Sequence, residues 1–456
     1  MNIVALLLLT LLQFISGIGV LALFNISLRN GLKIPLALLL GVAVSSFVPF
    51  VLQLLYVPLT AFSVFSALVM TALLLNINMA RTAEQWAAMF RNIRFTLKLY
   101  ELPFILLITA IVLISVWRCY YLPPTPRDLT SGPEVLAEYA VREHTMINSV
   151  FNVDLDSTNN PYKPAFITSL QIIYKYAGFP FGQLWLCVIF VSFMLLLYQL
   201  LCENLHRLLT GVLLLCFLAI PEMYAYTFMA LFDYSNAVFF FLSVYCLTLY
   251  FGEKSRHCLY FAAWLMGIAT YIRPETLVLA FFFIPLLVYR QWGSQSIRQL
   301  AQDAATFVTP AVLLYAVSVV CYNSYYLPAQ YEVSNLINPH PLQLRPFFDR
   351  FADMHTRLLF GSRGVSLYGY FMVLFVVLLL VEAVVYKLRF SFTARVWLYA
   401  VLVVYIGLPF LGYLLPLVDL QHSTKRGLLK IFPLMLLYLA HNQALAKISA
   451  RLGRWG

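Results

Sequence analysis

A few acidic and basic side chains interrupt an otherwise apolar sequence, and the first of them follows an early apolar run. The segment Pro126-Arg127-Asp128 stands about ten residues after the nearly uncharged stretch that ends at Trp117. An aspartate so close to a membrane is either a solvated turn residue of the Pro-x-Asp kind or a working carboxylate. Both interpretations stay open at this point.

A second charged point is Arg273-Pro274-Glu275, which separates two apolar arms of 15 and 14 residues, 258–272 and 276–289. At 1.5 Å per residue each arm reaches about 22 Å, short of the roughly 30 Å hydrocarbon core of a bilayer. The sequence therefore predicts a hairpin whose charged tip lies at or below one membrane interface. Such a tip persists where it lines a water-filled cavity or meets a partner charge. The alternative is an Arg–Glu pair that neutralises itself among the headgroups.

Two further polar stretches are predicted on the same side of the membrane, at 220–237 and 418–430. The arginines and lysines among them suit a phosphate, because a guanidinium binds two oxygens at once and stays charged when partly buried. The pattern predicts a cavity for a lipid-linked, phosphate-bearing substrate. Anchoring of span ends to lipid headgroups is the alternative, and it is the preferred interpretation of Lys430 taken singly. The side chains concerned are Glu222, Asp233, Asp419, His422, Lys425, Arg426 and Lys430.

The composition indicates which class of protein must position these charges. Of 456 residues, 62% are hydrophobic and 11% are charged, about half the charged fraction of a soluble protein. Apolar runs of about 20 residues recur along the chain, and a helix of that length crosses a bilayer. An outer-membrane barrel is excluded, because its strands would alternate between apolar and polar residues.

The apolar runs predict an all-α polytopic protein, a single transmembrane domain over 1–456. The first run has no basic segment before it and no small-residue cleavage site, so we interpret it as a retained span. The seven cysteines form no CxxC pair, which favours packing roles over disulfides or metal ligation. The thirteen predicted spans are 3–25, 34–56, 58–79, 101–120, 183–201, 208–222, 232–251, 258–272, 276–289, 304–322, 366–386, 396–415 and 428–446.

The distribution of charge predicts the orientation. The segments assigned to the cytoplasm hold 17 Lys and Arg against 5 Asp and Glu, whereas the other side holds 13 of each sign. By the positive-inside rule the N-terminus lies outside and the C-terminus in the cytoplasm. The net charge of +11 thus reports orientation and gives no indication of nucleic acid. The cytoplasmic segments are 26–33, 80–101, 202–207, 252–257, 290–303, 387–395 and 447–456.

The predicted outer side carries the two long loops, 121–182 and 323–365. Apolar residues at helical spacing predict amphipathic helices over 164–177 and over 346–359. We expect these helices to lie in the membrane interface. Substantial structure on the outer side, with little on the other, favours chemistry on the outer face.

Two local sequence signals predict where helices of the outer loops begin or end. Gly178 is predicted to end the helix over 164–177, and Ser131 with Glu134 fits a capping box before a further helix.

The histidines of the outer loops lack metal-ligand spacing, and His422 is the reserve candidate among them for a site residue. The tyrosines at the entry to the second loop form either an interfacial aromatic belt or a surface for stacking sugar or isoprenoid. The residues concerned are His144, His340, His355 and His422, and Tyr322, Tyr325, Tyr326 and Tyr331.

Several of these segments together resemble the integral-membrane GT-C glycosyltransferases, most closely the protein O-mannosyltransferase and aminoarabinose-transferase branch. Asp128 matches the acid that follows the family's helix before the first large outer loop. The chain also has segments similar to the family's proline-led amphipathic helix, aspartate-containing span start, Arg-Pro span and basic closing span. These segments are 163–180, 232–242, 269–281 and 425–440, and together with Asp128 they are spread over about two-thirds of the chain. Where the mannosyltransferase branch commonly has paired acids, this chain has Arg127-Asp128, so the resemblance supports the superfamily.

The resemblance implies a GT-C-like bundle that transfers a sugar from a polyprenyl-phosphate donor to an acceptor hydroxyl, with inversion. Asp128 would be the general base, because the attacking hydroxyl must lose its proton as the bond forms. Arg273, Lys425 and Arg426 would bind the donor phosphate and stabilise its growing charge. No cofactor is required, and a divalent metal is not indicated. Candidates for contacts to the acceptor or the sugar are Glu134, Asp233, Glu222, Glu275 and His422.

Several of these assignments leave a second interpretation open. Glu134 is either a helix cap or a site residue, and Asp233 binds either sugar or a metal. The acceptor is a glycolipid, a glycan or a protein, and a bacterial inner membrane with the site facing the periplasm is preferred. A transporter or flippase of lipid-linked saccharides is one competing function, although no inverted repeat is visible. An O-antigen polymerase or ligase-type enzyme is the other, although this chain has its longest loop early.

Overall fold

A computed structural model describes most of the chain. The described residues are 3–26, 28–90, 98–125, 132–151, 164–291, 296–327, 344–387, 390–414 and 423–454. Within these ranges the regular structure is helical throughout, without a strand. The predicted all-α class is therefore confirmed for the described part of the chain.

The helices of the first half, in chain order, are α1 (Ile3–Phe24), α2 (Asn30–Leu54), α3 (Ala61–Leu75), α4 (Met79–Phe90), α5 (Leu102–Tyr121), α6 (Pro133–Glu143), α7 (Phe166–Tyr176), α8 (Trp185–Cys202), α9 (Arg207–Leu218) and α10 (Pro221–Ala225). They continue with α11 (Phe232–Glu253), α12 (Arg256–Ile272), α13 (Thr276–Phe281), α14 (Ile284–Gln291), α15 (Ile297–Tyr325), α16 (Arg345–Asp353), α17 (Ser362–Tyr368), α18 (Phe371–Val385), α19 (Phe392–Leu414), α20 (Lys425–Ala440) and α21 (Gln443–Leu452).

Seven of the described helices are long and apolar enough to cross a membrane: α1, α2, α5, α8, α11, α15 and α19. Two bent pairs, α3 with α4 at 87° and α20 with α21 at 57°, raise the number to nine at most. These helices indicate a multi-pass membrane protein. The predicted spans 208–222, 258–272, 276–289 and 366–386 form helices shorter than 18 residues, so the count of thirteen stays a prediction.

The chain divides into two compact units. The first consists of Met1–Gln199, Thr227–Ser235 and Leu314–Pro328. The second consists of Leu200–Tyr226, Asn236–Leu313 and Ala329–Gly456.

The first unit is built on a close approach of α1 and α2. A Cβ added at Gly17 of α1 would come 1.7 Å from the carbonyl oxygen of Ala37 in α2. A Cβ added at Gly41 of α2 would come 1.8 Å from the carbonyl oxygen of Gln13 in α1. Small residues at such crossings let helix backbones touch, which favours association inside a membrane.

The helix predicted over 164–177 is present as α7, but it does not expose a polar face to solvent as an amphipathic helix in the membrane interface would. Every residue from Phe166 to Tyr174 is buried, because α7 packs against both α2 and α6 in the first unit. The predicted stop is also confirmed, since Gly178 adopts a φ of +91° that a residue without a Cβ takes freely.

The second unit packs around α11, α19 and α20. The ring of Phe241 in α11 stacks on Trp397 in α19 at 5.5 Å between centroids. All ten residues from Ile431 to Ala440 in α20 are buried. The helix predicted over 346–359 is present as α16 and a π-helical continuation, Met354–Leu359, in which Met354 and Leu358 are buried.

Candidate functional site

The second unit gathers charged side chains from three separate stretches of the chain. Glu222 lies in the first turn of the short helix α10. Arg273 follows the last residue of α12, and two residues later Glu275 precedes α13. The start of α20 supplies three cations. We call these six residues the charged cluster: Glu222, Arg273, Glu275, Lys425, Arg426 and Lys430.

The predicted hairpin is present, with Arg273-Pro274-Glu275 at its tip. Arg273 is extended, with a φ of −141° and a ψ of 112°, as expected for a residue before proline. Its Nε lies 2.5 Å from Glu275 Oε1, and both side chains are about four-fifths buried. Asn236 of α11 ties the two arms together, since its Nδ2 donates to Ala269 O at 2.6 Å and to Thr276 Oγ1 at 3.0 Å.

A second ion pair joins residues that are two hundred positions apart. Lys425 Nζ lies 2.6 Å from Glu222 Oε1, and the two side chains are 23% and 14% exposed. The hydroxyl of Tyr368 in α17 donates to the carbonyl oxygen of Lys425 at 2.9 Å, which fixes the backbone at the start of α20. The pair therefore has a defined position and limited access to water.

Lys430 corrects an expectation, because it does not reach a headgroup. Its side chain is fully buried in the second unit. Its Nζ has no hydrogen-bond acceptor among the described residues. The charged groups that act on it are Glu275 and Arg273. The apolar residues after Lys430 drive α20 to pack inside the unit. Lys430 is buried because it belongs to the same helix.

Tyr226 is a member of this neighbourhood that the sequence did not reveal. Burial raises the pKa of its phenol, and the phenol donates a hydrogen bond to Glu222. The positive charges of Arg426 and Arg273 oppose that rise in pKa. The available signal was the spacing of Glu222 and Tyr226, which at i and i+4 share one side of a helical turn.

The arrangement can bind an anion. Guanidinium and ammonium groups held with restricted water access interact strongly with phosphate oxygens. The two acids compensate Arg273 and Lys425 while no ligand is bound, and so hold them in defined positions. The fully buried amino group of Lys430 still has donors to offer.

Glu134, a candidate for contacts to the acceptor or the sugar, is not part of the charged cluster. It belongs to the first unit, where its Oε1 lies 2.7 Å from Lys175 Nζ and its Oε2 accepts from Gln171. Burial raises the pKa of its carboxyl, and the nearby Lys175 ammonium opposes that rise. These contacts fasten α6 to α7. The capping partner Ser131 lies outside the described residues.

The other candidates are divided between the first unit and the undescribed segments. Asp233 is almost fully buried in the first turn of α11, and it belongs to the first unit. Asp128, His422 and Asp419 lie outside the described residues. The structure thus brings together Arg273, Glu275, Glu222, Lys425 and Arg426, and it leaves Glu134 and Asp233 in the other unit.

Two further features complete the description. Among the described residues no group of three or more His, Cys, Asp and Glu could hold a metal ion. A cavity of about 150 Å³ lies in the first unit, where apolar residues at the end of α5 and before α8 line it, among them Cys119, Phe179 and Leu184. This cavity contains none of the charged cluster.

Comparison of the chain with protein-family models, with curated proteins and with solved structures gives no match. The residues of the site, and the short segments that resemble GT-C glycosyltransferases, are therefore what indicates a function.

Proposed function

We propose that the protein is an integral-membrane glycosyltransferase that takes a sugar from a polyprenyl-phosphate donor and attaches it to an acceptor hydroxyl, with inversion. The charged cluster binds the donor phosphate. The acceptor is a glycolipid, a glycan or a protein, and the reaction takes place on the non-cytoplasmic face of the membrane.

The observation that carries the proposal is the buried amino group of Lys430 beside the Arg273–Glu275 ion pair. Burying an ion costs several kcal/mol unless a partner compensates it. An apolar helical protein therefore keeps such a group where a function needs it. A ligand that brings negatively charged oxygens would give the Lys430 Nζ the acceptors that the described residues do not provide.

A phosphate ester is the ligand chemistry that fits these side chains best. Arg273 and Arg426 offer planar forks for two oxygens each, and Lys425 and Lys430 offer point charges. A phosphate that leaves during sugar transfer gains negative charge, so fixed cations stabilise the transition state more than the bound donor. The cluster would thus promote the departure of polyprenyl phosphate as well as bind the donor.

The proton acceptor of the reaction is assigned by resemblance alone. Asp128 is the proposed general base, and a positioned carboxylate of this kind contributes about 10²–10⁴ in rate. The proposed inverting step needs no covalent intermediate, because the acceptor hydroxyl attacks as the phosphate leaves from the opposite face.

The proposed architecture is a GT-C-like bundle of about thirteen membrane helices in a bacterial inner membrane, with its N-terminus outside and its C-terminus in the cytoplasm. The seven long helices and the two bent pairs support the larger part of it. The four shorter helices complete the number only where the bilayer is locally thinner, since the 12 residues of α9, for example, span about 18 Å. The hairpin of α12 and α13 would enter from one side and place its charged tip within the membrane.

The test of this function is sugar transfer in membranes that contain the full chain and a radiolabelled polyprenyl-phosphate sugar. The enzyme forms a new glycosidic bond, whereas a flippase would move the label across the bilayer without forming one. We expect Asp128→Asn to lower transfer by at least a hundredfold while donor binding is retained.

Asp349→Asn is the matched control, because Asp349 is an exposed aspartate of α16. Its transfer rate should equal that of the unchanged protein. Unchanged transfer by Asp128→Asn would remove Asp128 as the base. If the label crossed the bilayer without forming a new glycosidic bond, the protein would be a transporter and not a glycosyltransferase. Polymerisation of intact lipid-linked glycans would favour the polymerase or ligase alternative.

A further inference from the structure

The helix α21 carries a basic face that the proposed sugar transfer does not use. Lys447, Arg451 and Arg454 follow one another at i, i+4 and i+7, so they project from one side of the helix and its last turn. All three residues are exposed. None of them forms an ion pair with an acid among the described residues.

A fourth cation belongs to the same end of the second unit. The ammonium of Lys447 lies over the ring of Tyr386, 4.5 Å from its centroid. Tyr386 directly follows α18, and the next residue, Lys387, is exposed. The contact between Lys447 and Tyr386 therefore brings Lys387 to the same region. We call Lys387, Lys447, Arg451 and Arg454 the basic face.

The opposite side of α21 is apolar. Leu445, Ile448 and Leu452 follow one another at i, i+3 and i+7. Leu445 is buried against the unit, whereas Ile448 is 46% exposed. The helix thus presents cations on one side and an accessible apolar flank on another, which is the pattern of helices that lie in a membrane interface.

The position of α21 along the chain supports a membrane location. It follows α20 after a bend of 57°, and every residue of α20 from Ile431 to Ala440 is buried and most are apolar. Asn442 fixes the bend, because its Oδ1 accepts from the amides of Ala444 and Leu445 while its Nδ2 donates to Glu382. Ser449 accepts from the amide of His206 at 2.7 Å, which holds α21 to the start of α9.

We propose that the basic face of α21 is a binding surface for anionic phospholipid headgroups at the leaflet where α20 ends. Lysine and arginine within a Debye length of an anionic leaflet each strengthen binding about fivefold. The exposed Ile448 would enter the boundary between headgroups and acyl chains. An acidic peptide would satisfy the charges but would leave this isoleucine in water.

The experiment uses the full chain reconstituted into vesicles of equal phosphatidylglycerol and phosphatidylcholine. The protein is then extracted in mild detergent, and the ratio of the two lipids that stay bound is measured by mass spectrometry. We expect a bound ratio of phosphatidylglycerol to phosphatidylcholine above ten for the unchanged chain. The triple variant Lys447→Gln, Arg451→Gln and Arg454→Gln should lower that preference at least tenfold.

The matched control removes the same charge from three exposed arginines elsewhere. Arg142, Arg345 and Arg357 each pair with an acid four residues away, and changing them to Gln should alter the lipid preference less than twofold. Equal thermal unfolding temperatures for the two triple variants would show that both are folded.

An unchanged preference for phosphatidylglycerol in the α21 variant would overturn the proposal. So would a loss of equal size in the control variant, because the effect would then follow from net charge. If the α21 variant kept its lipid preference and instead lost an acidic protein that copurifies with the unchanged chain, the surface would be a protein interface. The result is independent of sugar transfer, which neither triple variant is expected to change.

Discussion

Lys425 Nζ lies 2.6 Å from Glu222 Oε1, and this ion pair joins the start of α20 to the short helix α10 across two hundred residues of sequence. Both side chains are at least three-quarters buried, so water weakens the pair less than it weakens a surface ion pair. The pair is therefore a stabilising contact of the second unit as well as part of the charged cluster.

The coupling between these two residues is the first prediction. We expect a double-mutant cycle of Glu222→Gln and Lys425→Met to give a coupling of about 1–2 kcal/mol in the free energy of unfolding. The control cycle is Asp349→Asn with Arg345→Met, an exposed pair at 3.8 Å that should give no measurable coupling. Denaturant unfolding of the full chain in lipid-detergent micelles measures both. Equal coupling in the two cycles would contradict the assigned difference in burial.

Replacement of Lys430 should separate stability from function. Lys430→Met removes a buried amino group that has no hydrogen-bond acceptor among the described residues, so the free energy of unfolding should stay the same or rise by about 1 kcal/mol. Sugar transfer should fall by about a hundredfold, because one fixed charge at the leaving phosphate is lost. Unfolding and labelled-sugar transfer are measured on the same preparation.

Lys33→Met is the matched control for that change. Lys33 is also a buried lysine, 7% exposed, but it lies in α2 of the first unit. Its substitution should leave sugar transfer unchanged. A Lys430 variant that transfers sugar normally would show that the ammonium has no part in donor binding.

The crossing of α1 and α2 gives a prediction about stability alone. Gly17→Ala would place a Cβ 1.7 Å from a backbone carbonyl oxygen of α2, and a backbone cannot move aside as a flexible side chain can. We expect a loss of about 3 kcal/mol in the free energy of unfolding. Gly252→Ala in α11 is the control, because nothing lies within 4 Å of its added Cβ. That variant should be neutral or up to about 1 kcal/mol more stable.

The pH dependence of stability should distinguish the two acids that share Lys175. A hydrogen bond from the Lys175 ammonium, with its positive charge, lowers the pKa of Glu138. The stabilisation by Glu138 is therefore complete above the usual glutamate pKa of 4.5 and is lost as the pH falls through its lower folded-state value. Glu138→Gln should reduce the loss of stability on acidification below about pH 4.5.

Glu134 should show the opposite slope. Burial raises the pKa of its carboxyl, so the folded state retains its proton more strongly than the unfolded chain does. Its contribution is fully present below the usual pKa of 4.5 and is lost as the pH rises through the higher folded-state value. Glu134→Gln should therefore reduce the loss of stability on raising the pH above about 4.5. Thermal unfolding of the full chain between pH 3.5 and 7 measures both variants, and identical slopes in the two would contradict the assignment.

Local patterns predicted the elements of this protein well. The apolar runs became helices, Gly178 ended α7, and Arg273-Pro274-Glu275 formed the tip of a hairpin. Each of these features depends on neighbours within a few residues: the 3.6-residue period, the freedom of glycine at positive φ, and the break that proline imposes. The ion pair between Arg273 and Glu275 could also be predicted from the sequence, because the two residues are only two positions apart.

The partners of the remaining charges could not be read in the same way. Glu222 forms an ion pair with Lys425, and Glu134 forms one with Lys175. Lys430 is buried, although its position near a span end favoured a contact with lipid headgroups. None of these outcomes is encoded in a local period, because each depends on which helices pack together.

By itself, then, the sequence determined the class of protein, most of its helices and the identity of the candidate cations, since hydrophobicity and turn chemistry act over short distances. Only the tertiary structure decided which cations are paired and which one is enclosed, because burial and ion pairing are set by contacts between segments far apart in the chain.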